Sequence, residues 1–436
     1  MDKKNPDLQN LQDTAFPLTN SYEPTFDFSQ LLGILQHFIR VTFAFVNERL
    51  LAMTKTYLKY GITFGGFTFV VIQSYAGQFP QDDENKSVSL EVSYIGDNVN
   101  NISGGIKTGS RYLGMVNVLF GFDTEKAGLW KGGNFYMHGA NTHGAEPSQQ
   151  LIGDVQVMSN VEAGNHTYLQ EFWVKQKFNK IEITAGLQDL NVEFAVSELG
   201  ALYLNSSYGI LPVISNNFNA PIFPLTTIGL TFKWDISEKT RWINALYDGS
   251  PTDFDYNPHN LKWQFSSGDG ILAISEFQKN IMINEFPGVY KAGVFSHFHK
   301  MGKNVATADS ITNNLFGMYL FADQTIWERN LRNAGLFVQL GYSPSETSTN
   351  NFYLGTGINI TGLLSKKAKD TFGLAVAHVT FTEDAKSETA VELTYLYQLT
   401  EHFFIQPDFQ YILNPSGTSE PLPDALTANL RFGISF

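Results

Sequence analysis

Residues 425–436, ALTANLRFGISF, decide how the rest of this chain is read. Leu426, Ala428, Leu430, Phe432, Ile434 and Phe436 fall on one parity, and Thr427, Asn429, Arg431, Gly433 and Ser435 on the other. A period of two places each set on its own side of a β-strand. The same alternation occupies FFIQPDFQYIL, where Phe403, Ile405, Phe409, Tyr411 and Leu413 alternate with Gln406, Asp408 and Gln410. It returns in ETAVELTYLYQL, where Val391, Leu393, Tyr395, Tyr397 and Leu399 oppose Glu392, Thr394 and Gln398. A soluble antiparallel sheet would alternate in the same way. These runs, however, are about ten residues or more, long enough to cross a bilayer at a tilt, and their apolar faces end in Tyr or Phe, as an aromatic girdle requires.

Composition agrees with a wall that is oily on one side and wet on the other. Charged residues are 16% and aromatic residues 14% of the 436, with 36 Phe, 19 Tyr and 37 Gly. An ordinary soluble domain carries about 25% charged residues. Mean hydropathy is nevertheless slightly negative, which argues against a helical membrane protein. Cysteine is absent, so disulfides, thiolate metal sites and thiol nucleophiles are excluded. A net charge of -13 argues against nucleic acid as a partner, since phosphate binding needs clustered Lys and Arg.

Candidate strands fall near 86–98, 109–122, 133–144, 165–178, 180–188, 226–234, 240–248 and 271–278, and again near 287–299, 314–325, 334–343, 350–361, 371–380, 388–399, 401–413 and 424–436. That is about sixteen, an even number, as in bacterial single-chain barrels. Tight connections at Asn179–Lys180, Asp235–Lys239 and Thr400 alternate with long ones at 145–164, 189–225 and 249–270, which suits short periplasmic turns opposite long external loops. The fold expected is therefore all-β, a transmembrane antiparallel barrel in contact with outer-membrane lipid. An open edge in lipid would leave backbone groups without partners, so the last strand should close against the first.

Three regions are expected: an upstream extension at 1–52, a signal peptide at 53–76 and the barrel at 77–436. Lys55 and Lys59 form a positive start, Ile62–Ile72 an apolar core and Ser74-Tyr75-Ala76 a small-residue cleavage site. The apolar run is shorter than the roughly 20 residues of a spanning helix.

Several long stretches resemble the carbohydrate-selective porins of the OprB family. They are NVEFAVSELGALYLNSSYGILPVISNNFNAPIFPLTTIGLTFKW, NALYDGSPTDFDYNPHNLKWQFSSGDGILAISEF, PGVYKAGVFSHF, the upstream SYIGDNVNNISGGIKTGSRYLGMVNVLFGFDTEKAGLWKGG with HGANTHG, and QPDFQYILNPSG near the end. The likeness runs collinearly over essentially all of 85–436; the extension before the signal is a departure from it. It implies an outer-membrane channel for passive diffusion of glucose-like monosaccharides, and a homotrimer in the manner of general porins. It also implies that the long connection at 189–225 folds into the bore. That connection holds Asp189, Glu193, Glu198, Asn205, Ser206, Ser207 and Tyr208, and the polar parity adds Glu392, Gln406, Asp408, Gln410, Asn429 and Arg431 as lining residues. Trp173 or Tyr208 is the expected aromatic plane against a sugar's apolar face.

A channel performs no chemistry; bore, hydrogen-bonding groups and field set its selectivity. The acidic balance predicts mild cation selectivity, because unit charges 4 Å apart in water interact by only about 1 kcal/mol. No cofactor and no metal is expected. His297 and His299 share a strand face but lack a third ligand. Asp269 and Glu276 are an acid/base pair only if the fold brings them together. The sequence contains no G-x-S-x-G, and GGIKTGS at Gly104–Ser110 reads as a turn rather than a phosphate loop. The alternatives are a plugged structural or adhesive barrel and a carbohydrate-active hydrolase.

Overall fold

A computed structural model describes residues 86–263, 270–303, 310–344, 348–365, 367–382, 386–416 and 422–436, with the backbone alone from 299 to 313. The extension and signal expected at 1–52 and 53–76, and Asp269, lie outside the described residues, as does the side chain of His299. Sixteen strands form one closed antiparallel barrel. They are β1 Val88–Ser103, β2 Gly109–Asp123, β3 Gly133–Gly144, β4 His166–Phe178, β5 Ile181–Gln188, β6 Thr227–Ser237, β7 Thr240–Asp248 and β8 Ile271–Ile283. The second half comprises β9 Phe286–Lys303, β10 Ser310–Arg329, β11 Arg332–Tyr342, β12 Asn350–Thr361, β13 Asp370–Phe381, β14 Ser387–Gln398, β15 Phe403–Leu413 and β16 Ala425–Ser435.

Each strand pairs with its sequence neighbours, and β1 pairs with β16, from Ser93 opposite Ser435 to Ser103 opposite Leu426. Phe436 completes the seam: its N–H donates to Val92 O at 2.9 Å and its carbonyl accepts from Val92 N at 3.1 Å. Its ring is 71% exposed, so the chain ends paired and facing outward. The GGIKTGS stretch is the turn between β1 and β2.

Along β16 the expected parity holds with the burial of a soluble protein reversed. Thr427, Asn429 and Arg431 are buried, while Leu426, Ala428 and Leu430 are half-exposed. Leu230, Leu246, Val294 and Leu320 stand more than half exposed around the outer wall. In water such a band would be an aggregation surface; in lipid it is the solvent-matched face. Trp234 and Trp242, with ring centroids 6.5 Å apart, lie beside the β6–β7 turn in an aromatic girdle.

The wall has one irregular sector. β5 reaches only as far as Phe172 along β4, so the upper half of β4 lacks a strand partner on that side. The β7–β8 connection seals it. Leu169 N donates to His259 O at 3.1 Å, and Asn260 Nδ2 donates to Leu169 O at 3.2 Å. Thr226 Oγ1 donates to Gln170 O at 2.5 Å. The exposed edge is thus paired by loop residues instead of being left to lipid.

Candidate functional site

Two connections turn into the barrel. The first joins β5 to β6, and Asp189 closes its neck. The Asp189 carboxylate accepts from Asn191 N at 2.8 Å, Phe223 N at 2.9 Å and Gln170 Nε2 at 3.0 Å. Leu190 N donates to Pro221 O at 2.8 Å across the same neck. Burial pushes the Asp189 carboxyl up to about 6 against those donors.

Beyond the neck, residues 193–205 follow the inner wall as a belt. Glu193 is ion-paired with Lys233 on β6. Ala195 N donates to Glu276 Oε2 on β8 at 2.8 Å, and Lys291 Nζ on β9 donates to Val196 O at 2.7 Å. Asp323 on β10 accepts from Ser197 Oγ at 2.5 Å and Glu198 N at 2.8 Å. Asn359 on β12 donates to Leu199 O, and Gln406 on β15 donates to Leu202 O at 2.7 Å. Glu392 on β14 accepts from Leu204 N at 2.6 Å and Asn205 N at 3.0 Å. The belt is largely irregular chain with a single short turn at Gly200–Leu202, and where its N–H groups have no ladder to join, at Ala195, Glu198, Leu204 and Asn205, wall carboxyl groups accept from them.

The second inward segment, 145–165, joins β3 to β4. Its position corrects the reading of 145–164 as an external loop. Glu388 on β14 accepts from Val155 N at 2.8 Å and Gln156 N at 3.0 Å, and Gln410 Nε2 donates to Met158 O at 2.8 Å. The two segments are joined directly by Ser206 N to Val157 O at 2.9 Å and Asn160 N to Leu204 O at 2.7 Å.

Between and beneath them lies a cavity of about 500 Å³, running from Val155 and Asn216 toward Asn333 and Thr371 at the tight-turn rim. Asn160, Glu162, Asn191, Ser215, Asn216 and Gln406 supply polar groups to its lining, and Leu202, Ile210, Ile222 and Phe223 supply apolar ones. Arg431 also borders it, with its charge matched by Asp97 at 2.7 Å.

The residues expected to line the bore divide into two groups. Asp189, Glu198, Ser206, Ser207, Gln406 and Arg431 border the cavity. Asn205, Tyr208, Glu392, Asp408, Gln410 and Asn429 are at most 1% exposed: Asn205 and Tyr208 are packed within the inward connection, Glu392 and Gln410 hold the inner segments from the wall, and Asp408 and Asn429 bond to each other beside Gln410. Glu193 is taken up by Lys233. Neither expected aromatic plane is offered to a solute. Tyr208 is fully buried with its ring 4.8 Å from that of Tyr203, and Trp173 stacks on Tyr136 at 4.8 Å. The rings on the cavity are those of Phe223 and Phe404 instead. Asn160, Asn191 and Asn216 were not picked out by sequence reasoning, because each lies in irregular chain where parity carries no meaning. His297 Nε2 lies 2.6 Å from Gly249 O, and its ring stacks on that of Phe218.

The family model for the carbohydrate-selective porin, OprB family, matches residues 107–436. Porin B of Pseudomonas aeruginosa is 22% identical over 410 residues, covering 80% of this chain and 88% of that protein. Among solved structures, the high-pH structure of Pseudomonas putida OprB superposes with a TM-score of 0.72 at 18% identity, over 80% of this chain and 94% of that one. An anion-selective porin from Comamonas acidovorans gives 0.52 at 11% identity, over 80% and 99%. The sealed tube, the two inward segments and a family match over most of the length lead to one assignment: this chain belongs to the OprB family of carbohydrate-selective porins and is a passive carbohydrate channel of the outer membrane.

Proposed function

We propose that glucose-like monosaccharides cross through the cavity between the belt and the 145–165 segment. The observation that carries this reading is the mixed lining of that space. Amide and hydroxyl groups of Asn160, Asn191, Ser215 and Asn216 share it with Leu202, Ile210, Ile222 and Phe223. A pyranose has an equatorial rim of hydroxyls and apolar faces, so such walls replace its water on the rim and shelter its faces. Its volume, about 500 Å³, falls within the roughly 300–1,000 Å³ of small-molecule sites. The amides are neutral and the Arg431 charge is matched by Asp97; the carboxyl groups of Asp189, Glu162 and Glu198 on the same lining accept from a sugar's hydroxyls without an opposite charge on the solute to hold it, so contacts stay weak enough for it to leave.

Swelling of liposomes containing the purified protein tests this. Glucose-sized sugars should enter several times faster than disaccharides; equal rates for both would sink the monosaccharide reading. Assembly as a homotrimer is a separate proposal, answered by the mass of the detergent-solubilised protein. Export through residues 53–76 is another, resting on Lys55, Lys59 and the Ile62–Ile72 run. Removing 1–52 should leave delivery to the outer membrane intact, whereas removing 53–76 should abolish it.

A further inference from the structure

Asp97 and Arg431 stand directly opposite each other on β1 and β16, the strands whose pairing closes the barrel. Arg431 Nε donates to Asp97 Oδ1 and Nη2 to Asp97 Oδ2, both at 2.7 Å. The pair is bidentate and nearly sealed, with Asp97 0% and Arg431 6% exposed. Backbone pairing already closes the seam over Ser93–Ser103. A buried ion pair is also a poor source of stability compared with apolar packing. Neither closure nor stability therefore accounts for it well.

What the pair does in addition is hold the 145–165 segment. Arg431 Nη2 donates to Asn160 Oδ1 at 2.8 Å, and Ser159 Oγ donates to Asp97 Oδ2 at 2.6 Å. Asn160 in turn fastens the belt, its N–H donating to Leu204 O at 2.7 Å and its Nδ2 to Tyr203 O at 3.3 Å. A chain of hydrogen bonds thus runs from the seam through Asn160 to the belt. Arg431, Asn160 and Leu202 all border the cavity. The spacing between the two inner segments is therefore referred to one rigid fork on the wall.

We propose that the Asp97–Arg431 pair is a positioning device that sets the calibre of the channel, and through it the solute size limit. It acts by way of Ser159 and Asn160, without needing to touch the sugar. The proposal rests on the cavity being the permeation route. A lysine cannot reproduce it, because an ammonium lacks the planar fork that reaches Asp97 and Asn160 together.

The test compares the full chain with Asn160→Ala, Arg431→Lys and the double variant Asp97→Asn/Arg431→Gln. Each is assayed by single-channel conductance in planar bilayers and by liposome swelling with glucose, a disaccharide and a trisaccharide. Folding is monitored by the heat-dependent shift in gel mobility. Variants that fold should show raised conductance and a disaccharide-to-glucose entry ratio severalfold above wild type. Asn160→Ala should do so with the ion pair intact, and Arg431→Lys to a smaller extent. If the double variant fails to fold, Asn160→Ala decides alone. An unchanged conductance and entry ratio in folded Asn160→Ala would overturn the proposal. A wild-type channel that admits all three sugars equally would instead overturn the monosaccharide reading.

Discussion

At the scale of single residues, Glu162 is the group whose state the channel should report. Both its carboxylate oxygens lie within 3.2 Å of Ser148 N, and it borders the cavity. Burial pushes its carboxyl up to about 8 against the Ser148 N–H, with Asp154 and Glu146 adding repulsion. Burial likewise raises Asp154, to about 6. A raised carboxyl is neutral below its pKa and anionic above it. Cation selectivity should therefore be weak near pH 6 and strengthen between about pH 7 and 9, read as a shift in reversal potential under a salt gradient. Glu162→Gln should flatten that profile; a variant that titrates like wild type would assign the change elsewhere. Parity in the sequence was enough to point Gln406, Asp408, Gln410, Asn429 and Arg431 inward. It could not say what they meet there. Glu392 faces Leu204 N, a partner 188 positions away, and no local pattern encodes such a pairing.

At the scale of elements, the strands were legible from pattern; of the inner segments, 189–225 was expected in the bore from the family resemblance and its length, and 145–165 was not. Strand ends read from alternation fall within a few residues of the observed ones for most of the wall, because one face must match lipid and the other water along its whole length. β1, β8, β9 and β10 run further, to Ser103, Ile283, Lys303 and Arg329; in β1 and β10, Asn100, Asn101, Trp327 and Glu328 break the apolar parity while the ladder continues. The belt has no period, since each residue answers to a different strand. Glu392→Ala would strip Leu204 and Asn205 of their acceptor, at about 1–3 kcal/mol for each stranded N–H. The barrel should still assemble, while open-channel current noise rises as the belt loosens; a quiet wild-type trace from the variant would contradict this. Strand packing has its own sensitive point at Gly433 on β16. A Cβ there would overlap the Phe404 ring at Cε1. Gly433→Val should sharply reduce the folded fraction in the gel-mobility assay, and near-normal folding would show that Phe404 can move aside.

At the scale of the whole barrel, the wall encloses a mixed core. Its inward carboxylates and amides are buried by its own connections together with apolar side chains such as Phe194, Leu211, Phe337 and Tyr353, while a second apolar set, Leu230 and Leu320 among it, faces out. Deleting the belt, residues 195–205, should leave the wall closed and raise conductance severalfold, with glucose and disaccharide entering at similar rates. Loss of the barrel on this deletion would mean that the belt props the wall. The belt's anchors are spread over β6, β8, β9, β10, β12, β14 and β15. No single strand owns the filter: with its fastenings shared among seven staves, its shape is a property of the whole ring, and a distortion of any one stave is passed to the aperture.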